Sequence, residues 1–189
     1  MAEKQLSGLK VAAITTDGVE QVELLEPKKA LEDAGAQVLV VAPKAGKIQG
    51  FKHHDKADQI PVDLTLDQAD PADFDAVLLP GGVINADALR VEKKAQEIVR
   101  QVDRRGSPIA VICHGPWLLV SAGLTRGHTM TSWPTLQDDI RNSGAAWEDR
   151  EVIRDRNWVS SRKPDDIPAF NREAIKLFSE ARAKRQRVA

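Results

Sequence analysis

Chemistry in this chain centres on its single cysteine, Cys113. The stretch from Ser107 to Leu119 reads SPIAVICHGPWLL, an apolar run that stops at Cys113 and passes at once into a helical pattern. A short continuous apolar run is the signature of a buried parallel strand. Gly115 allows a tight turn and Pro116 suits the first turn of a helix. Cys113 therefore reads as a nucleophile on a strand-to-helix elbow, where a helix N-terminus would lower the thiol pKa and favour the reactive thiolate. The competing reading is a small, buried, inert hydrophobe, the usual state of a free cysteine. His114 follows directly and is the nearest candidate base, or else a solvent-facing residue of the first helical turn.

Two other places could assist such a thiol. Glu20 and Glu23 are three residues apart, a spacing that puts both on one helix face. A carboxyl beside a thiol raises both pKa values unless one group holds the proton, so the pairing works if Glu23 stays protonated. Otherwise Glu23 is an exposed first-turn glutamate favoured by the helix dipole. Pro80-Gly81-Gly82 ends another apolar run, and its glycines could bring bare N–H groups to a substrate or simply turn the chain.

The elements that must position these residues follow from periodicity. Leu9–Thr15, Gln37–Ala42 and Ala76–Leu79 read as buried strands, with a helix after the first that Gly35 ends. A second helix is expected from about Val91 to Arg105 and a last one from about Asp165 to Ala183, with a hairpin of Glu151–Arg154 and Asn157–Ser161 between them. Strands alternating with helices imply a mostly parallel α/β sheet. Its strand C-termini would bring Gly81, Gly82 and Cys113 to one rim. The segment Lys47–Leu66 reads as a small edge hairpin, with His53 and His54 in its charged middle taken as solvated.

Length and composition fit one domain spanning 1–189. The chain has 189 residues, 42% hydrophobic and 29% charged, with formal net charge −1. A lone cysteine excludes an internal disulfide framework and, with four scattered histidines, a cysteine-rich zinc site; no metal or other cofactor is expected. The polar N-terminus and the lack of an apolar span point to a cytoplasmic protein without membrane contact. The basic tail from Arg182 to Arg187 lacks interleaved aromatics, so nucleic acid is not an expected partner.

Several motifs together resemble a known family: a glutamate pair after the first strand, PGG after the third, ICHGP at the elbow, then SAG, TSWP, DD, and WVSSR with a following P-x-D. Over nearly the whole chain this is similar to the PfpI family of stress proteins and intracellular peptidases. That family lies in the class I glutamine-amidotransferase-like superfamily with the Parkinson-associated deglycase. The resemblance implies a flavodoxin-like three-layer α/β sandwich with a nucleophile elbow. By position it implies Cys113 as nucleophile, His114 as its partner, Glu23 as the carboxyl on the thiol, and Gly82 and His114 as oxyanion-hole donors, with Glu20 and Gly81 as additional site residues. Asp87, after a one-residue insertion, matches an acid that completes a triad from a neighbouring subunit. Some relatives carry a histidine where Trp133 stands, and its loss here disfavours glutamine hydrolysis.

The expected activity is a cofactor-free cysteine hydrolase or lyase on carbonyl carbon, glyoxalase- or deglycase-like on methylglyoxal adducts in stress defence. A peptidase is the alternative enzyme, and a redox sensor or chaperone working through Cys113 oxidation is the non-enzyme alternative. Val83 and Ile84, apolar in an expected surface loop before a helix near Ala88, suggest a homo-oligomer, a dimer or a trimer of dimers. Asp87 would then reach His114 of a neighbour, or merely cap that helix.

Overall fold

The computed structural model describes residues 4–188. In chain order the strands are β1 (Lys10–Ile14), β2 (Val19–Glu20), β3 (Gln37–Ala42), β4 (Lys47–Lys52), β5 (Asp55–Pro61), β6 (Leu64–Thr65), β7 (Ala76–Leu79), β8 (Ile109–Ile112), β9 (Thr129–Met130), β10 (Ala146–Trp147), β11 (Val152–Asp155) and β12 (Trp158–Ser161). The helices are α1 (Gln21–Asp33), α2 (Val83–Leu89), α3 (Lys93–Arg104), α4 (Pro116–Ser121), α5 (Gln137–Asn142) and α6 (Ile167–Val188). Seven strands form the central sheet in the order β11-β12-β8-β7-β1-β3-β6. All neighbouring pairs run parallel except β11 with β12, the hairpin expected from the sequence.

Alternation along each strand divides the core between two helix layers, because successive side chains leave a strand on opposite faces. In β1, Val11 and Ala13 pack with Leu24 and Leu31 of α1 and Phe170 and Phe178 of α6. Ala12 and Ile14 pack on the other face with Ile98, Val99 and Val102 of α3 and Leu118 and Leu119 of α4. Both faces are thus covered, which is why the inner strands read as unbroken apolar runs. The result is a flavodoxin-like sandwich, and its adjacent β8, β7 and β1 deliver their C-terminal ends to one rim.

Four local expectations change. Glu20 is not on the helix face with Glu23: it closes the short strand β2 and precedes α1 with an extended backbone, φ −67°. The segment Val83 to Asp87 is helix α2 itself, with Gly82 in front of it, so Asp87 sits mid-helix and caps nothing. Helix α3 begins at Lys93, leaving Val91 72% exposed instead of on a buried stripe. The β4–β5 hairpin does not extend the main sheet but pairs with β2 in a separate three-stranded sheet beside the rim.

Candidate active site

At the end of β8 the backbone of Cys113 turns into the left-handed region, φ 62°. That conformation costs a non-glycine residue about 1 kcal/mol or more and lifts the side chain off the end of the sheet. Surrounding hydrogen bonds hold it: Cys113 N–H donates to the Ser161 carbonyl at 3.1 Å, and Trp133 N–H donates to the Cys113 carbonyl at 2.9 Å. The strained position is therefore the cysteine and not Gly115, whose φ is −49°. Glycine is needed at 115 because a Cβ there would press on the Leu79 carbonyl.

Glu23, in the first turn of α1, is completely buried, which removes the exposed-glutamate reading. Its Oε2 accepts the Gly81 N–H at 3.0 Å, while Oε1 is buried with no hydrogen-bond partner. Burial pushes the carboxyl up to about 8, with the Glu20 charge adding to the rise and the Cys113 thiol and Gly81 N–H pulling it back. Glu23 thus carries its proton at neutral pH. Gly81 spends its N–H on this carboxyl rather than on a substrate. A side chain at 81 would overlap both the Glu23 carboxyl and Cys113, so only glycine lets these two groups share the space.

The Cys113 thiol is also pushed up, against the expected lowering. Burial is the main cause and the Glu23 charge the second. The six-residue helix α4 offers too little to offset the lost solvation. The backbone N–H groups of Gly82 and His114 act in the opposite direction and favour the charged form of the sulfur. Gly82 takes φ 89°, and a Cβ there would strike the backbone of Gly18 and Glu20.

His114 places Nδ1 3.1 Å from Cys113 Sγ. Partial burial lowers its pKa to about 4, so the ring is neutral at pH 7 and weakly basic. Trp133 stacks on the ring at 5.8 Å between centroids and Trp117 meets it edge-on at 5.4 Å. Trp133 therefore packs against one face of the imidazole. Asn85 is a further residue that no motif revealed. It is fully buried; Nδ2 donates to the Pro80 and Gly81 carbonyls at 3.2 and 2.9 Å, and Oδ1 accepts from Thr15 Oγ1 and Thr16 N–H at 3.1 and 2.7 Å. This clasp ties the glycine loop to the end of β1.

These groups open into a cavity of about 540 Å³ lined by Cys113, His114, Glu20, Glu23 and, unexpectedly, His53 and His54. Glycine, valine and isoleucine from the start of α2 complete one wall, with Val83 and Ile84 52% and 55% exposed. Asp87 is exposed on α2 and is not among the lining residues of its own chain. Among the described residues no three His, Cys, Asp or Glu side chains gather into a metal-binding group, and no helix is long and apolar enough to cross a membrane.

A mostly parallel α/β sandwich with a left-handed cysteine at a strand-to-helix elbow, backed by a buried glutamate, defines a recognisable class of protein. The model of the DJ-1/PfpI family matches residues 9–177, and the chain belongs to that family. It is similar to deglycase TK1284 of Thermococcus kodakarensis, 43% identical over 90% of this chain and 99% of that protein. Protein/nucleic acid deglycase 2 of Escherichia coli is 39% identical over 89% of this chain and 97% of its own length. YraA of Bacillus subtilis, provisionally named a cysteine protease, is 38% identical over 89% and 98%. Among solved structures, Drosophila melanogaster DJ-1beta superposes with a TM-score of 0.80 at 27% identity, covering 96% of this chain and 98% of that one.

Proposed function

We propose that the chain is a cofactor-free enzyme in which Cys113 adds to the carbonyl carbon of small α-oxoaldehydes and their adducts, a glyoxalase- or deglycase-like activity of stress defence. The observation that carries this reading is the 3.1 Å approach of the neutral His114 ring to Cys113 Sγ on the strained elbow. As the S–C bond forms, the carbonyl π electrons move to oxygen, where the Gly82 and His114 N–H groups can follow the charge. The thiol proton passes to His114 Nδ1, 3.1 Å away, in concert with S–C bond formation, because so weakly basic a ring takes it only as the sulfur gives its electrons to carbon. Glu23 holds its own proton beneath the sulfur, so no second negative charge opposes the attack. Names of relatives as deglycases support the substrate class.

The test is lactate formation from methylglyoxal by purified protein, run beside casein and short amide substrates, with Cys113→Ser as control. Turnover of methylglyoxal that the serine variant loses supports the proposal. Turnover of the amides alone replaces it with the peptidase reading that YraA's name favours.

A second reading rests on the unpartnered Oε1 of Glu23. A protonated carboxyl with a spare position beside a thiol can hydrogen-bond a cysteine sulfinate, making Cys113 an oxidation sensor. Both readings leave Asp87 outside its own site, and we assign it to the cavity of a neighbouring subunit in a homo-oligomer formed around the exposed Val83 and Ile84.

A further inference from the structure

A second cavity, of about 640 Å³, lies at the opposite end of β8 from Cys113. Ser107 and Pro108, just before β8, and Asn157, just before β12, line it, and Leu177 and Ala181 of α6 give it an apolar side. Its size is that of a small-molecule site, roughly 300 to 1,000 Å³.

The charge around this cavity is one-sided. Arg105, Arg154, Arg156, Lys184 and Arg185 line it against a single carboxylate, Glu180. Arg154 forks onto Glu180, with Nη1 donating to Oε1 at 3.1 Å and Nη2 donating to Oε2. Lys184 acts on the same carboxyl group, which Arg154 chiefly, and Lys176 and Lys184 after it, hold below the usual carboxylate range. Arg185 pairs with Asp75 and Arg156 stands 3.9 Å from Asp155, both acids outside the lining. Arg105 has no carboxylate partner among the described residues. Arg105 and one of the two cations that share Glu180 are therefore left without a countercharge, two positive charges in all.

These groups are fixed by neutral partners. Arg105 Nη2 donates to the Pro71 and Phe74 carbonyls at 2.9 and 3.0 Å, and Arg156 Nη2 donates to the Gly127 carbonyl at 2.9 Å. A carbonyl positions a guanidinium without cancelling its charge, and leaves its other N–H groups for a ligand. Asn157 Nδ2 is held by Asp103 Oδ1 at 3.0 Å and by the Ser107 carbonyl at 2.9 Å. Ser107, 7% exposed, adds a hydroxyl that has no hydrogen-bond partner among the described residues.

We propose that this cavity binds a small phosphate monoester, at a site separate from the elbow. A monoester carries close to two negative charges at neutral pH, which matches the two uncompensated cations. Guanidinium forks and a hydroxyl suit its terminal oxygens, and the Leu177–Ala181 side can cover the carbon body attached to it. A phosphodiester, as in a nucleic-acid backbone, brings one charge per phosphate and fits the balance less well.

The experiment is calorimetric titration of the full chain with glycerol 3-phosphate, AMP, adenosine and an unphosphorylated oligothymidylate. Parent, Arg105→Gln, Lys184→Gln, the double variant and Cys113→Ser are compared, with thermal unfolding as a check on folding. Saturable one-site binding of AMP, with none of adenosine, is expected. The double variant should bind at least about 10-fold more weakly, the worth of one charge-assisted hydrogen bond, and Cys113→Ser should bind like the parent. Lys184→Gln removes a charge that makes no hydrogen bond to the fold, so its weakening decides the matter even if Arg105→Gln folds poorly. Glycerol 3-phosphate binding as well as AMP would make the phosphate itself the recognised group, and AMP alone would add the base on the apolar side. Absence of monoester binding, an affinity unchanged in the double variant, or loss of binding in Cys113→Ser would each overturn the proposal. Tighter binding of the oligothymidylate than of either monoester would also overturn it, in favour of a nucleic-acid surface.

Discussion

Nδ1 of His114 lies 3.1 Å from Sγ of the residue before it, Cys113, so a thiol and a ring nitrogen meet from consecutive positions of one elbow. This is possible because Cys113 takes a left-handed backbone and the chain reverses direction between the two side chains. Replacing His114 with glutamine keeps a polar planar group but removes the proton acceptor. The variant should fold normally and lose about 10²- to 10⁴-fold in kcat on methylglyoxal. An unchanged kcat would assign the thiol proton to another group.

Glu23 should leave a mark on stability as a function of pH. Its folded pKa is raised from 4.5 to about 8, so across that window the folded state keeps a proton that the unfolded chain has released. Stability therefore falls as pH rises from 4.5 to about 8, by roughly several kcal/mol in total. The lowered His114 pKa acts in the opposite sense between about 4 and 6.5, and it cancels when Glu23→Gln is compared with the parent. The Tm difference between Glu23→Gln and the parent should move in favour of the variant from pH 5 to pH 8. A difference that stays constant across that range would mean Glu23 titrates normally.

The rim architecture was legible in the sequence for a plain reason. Parallel strands buried on both faces give continuous apolar runs, and Ala76–Leu79 and Ile109–Ile112 each stop at the residues that matter, Gly81-Gly82 and Cys113. The hairpin tip was not legible. His53 and His54 look solvated because they are exposed, and only the pairing of β4 with β2 brings that exposed tip to the cavity. Asn85 likewise gives no periodic signal, since its value lies in four hydrogen bonds to loops some seventy residues away and to the turn just before it. The raised thiol pKa has no sequence signal, because a helix start can be read from the sequence, whereas the depth of burial that outweighs it cannot.

The oxidation reading predicts a difference between two Glu23 variants. Glutamine retains a hydrogen-bond donor at this position and leucine does not. After peroxide treatment, intact mass should show a stable sulfinate at Cys113 in the parent and in Glu23→Gln, while Glu23→Leu fails to accumulate it. Equal accumulation in all three would separate Glu23 from the oxidised sulfur.

Asp87 can be tested through mixed assemblies. Cys113→Ala and Asp87→Ala subunits are each expected to be nearly inactive alone. Mixed with proven subunit exchange they should regain part of the parent rate, because some interfaces would pair an intact Cys113 with an intact neighbouring Asp87. Full activity of Asp87→Ala by itself, or no recovery on exchange, would remove Asp87 from the site.

The most direct measurement is of the covalent bond. Parent protein and Cys113→Ser are mixed with methylglyoxal, quenched in acid during the first turnovers, and examined by intact mass and peptide mapping. The account predicts a substrate-derived adduct on the peptide bearing Cys113 in the parent, formed as fast as lactate appears, with neither adduct nor lactate from the serine variant. Lactate formation at the parent rate by Cys113→Ser, with no adduct on any peptide, would contradict it.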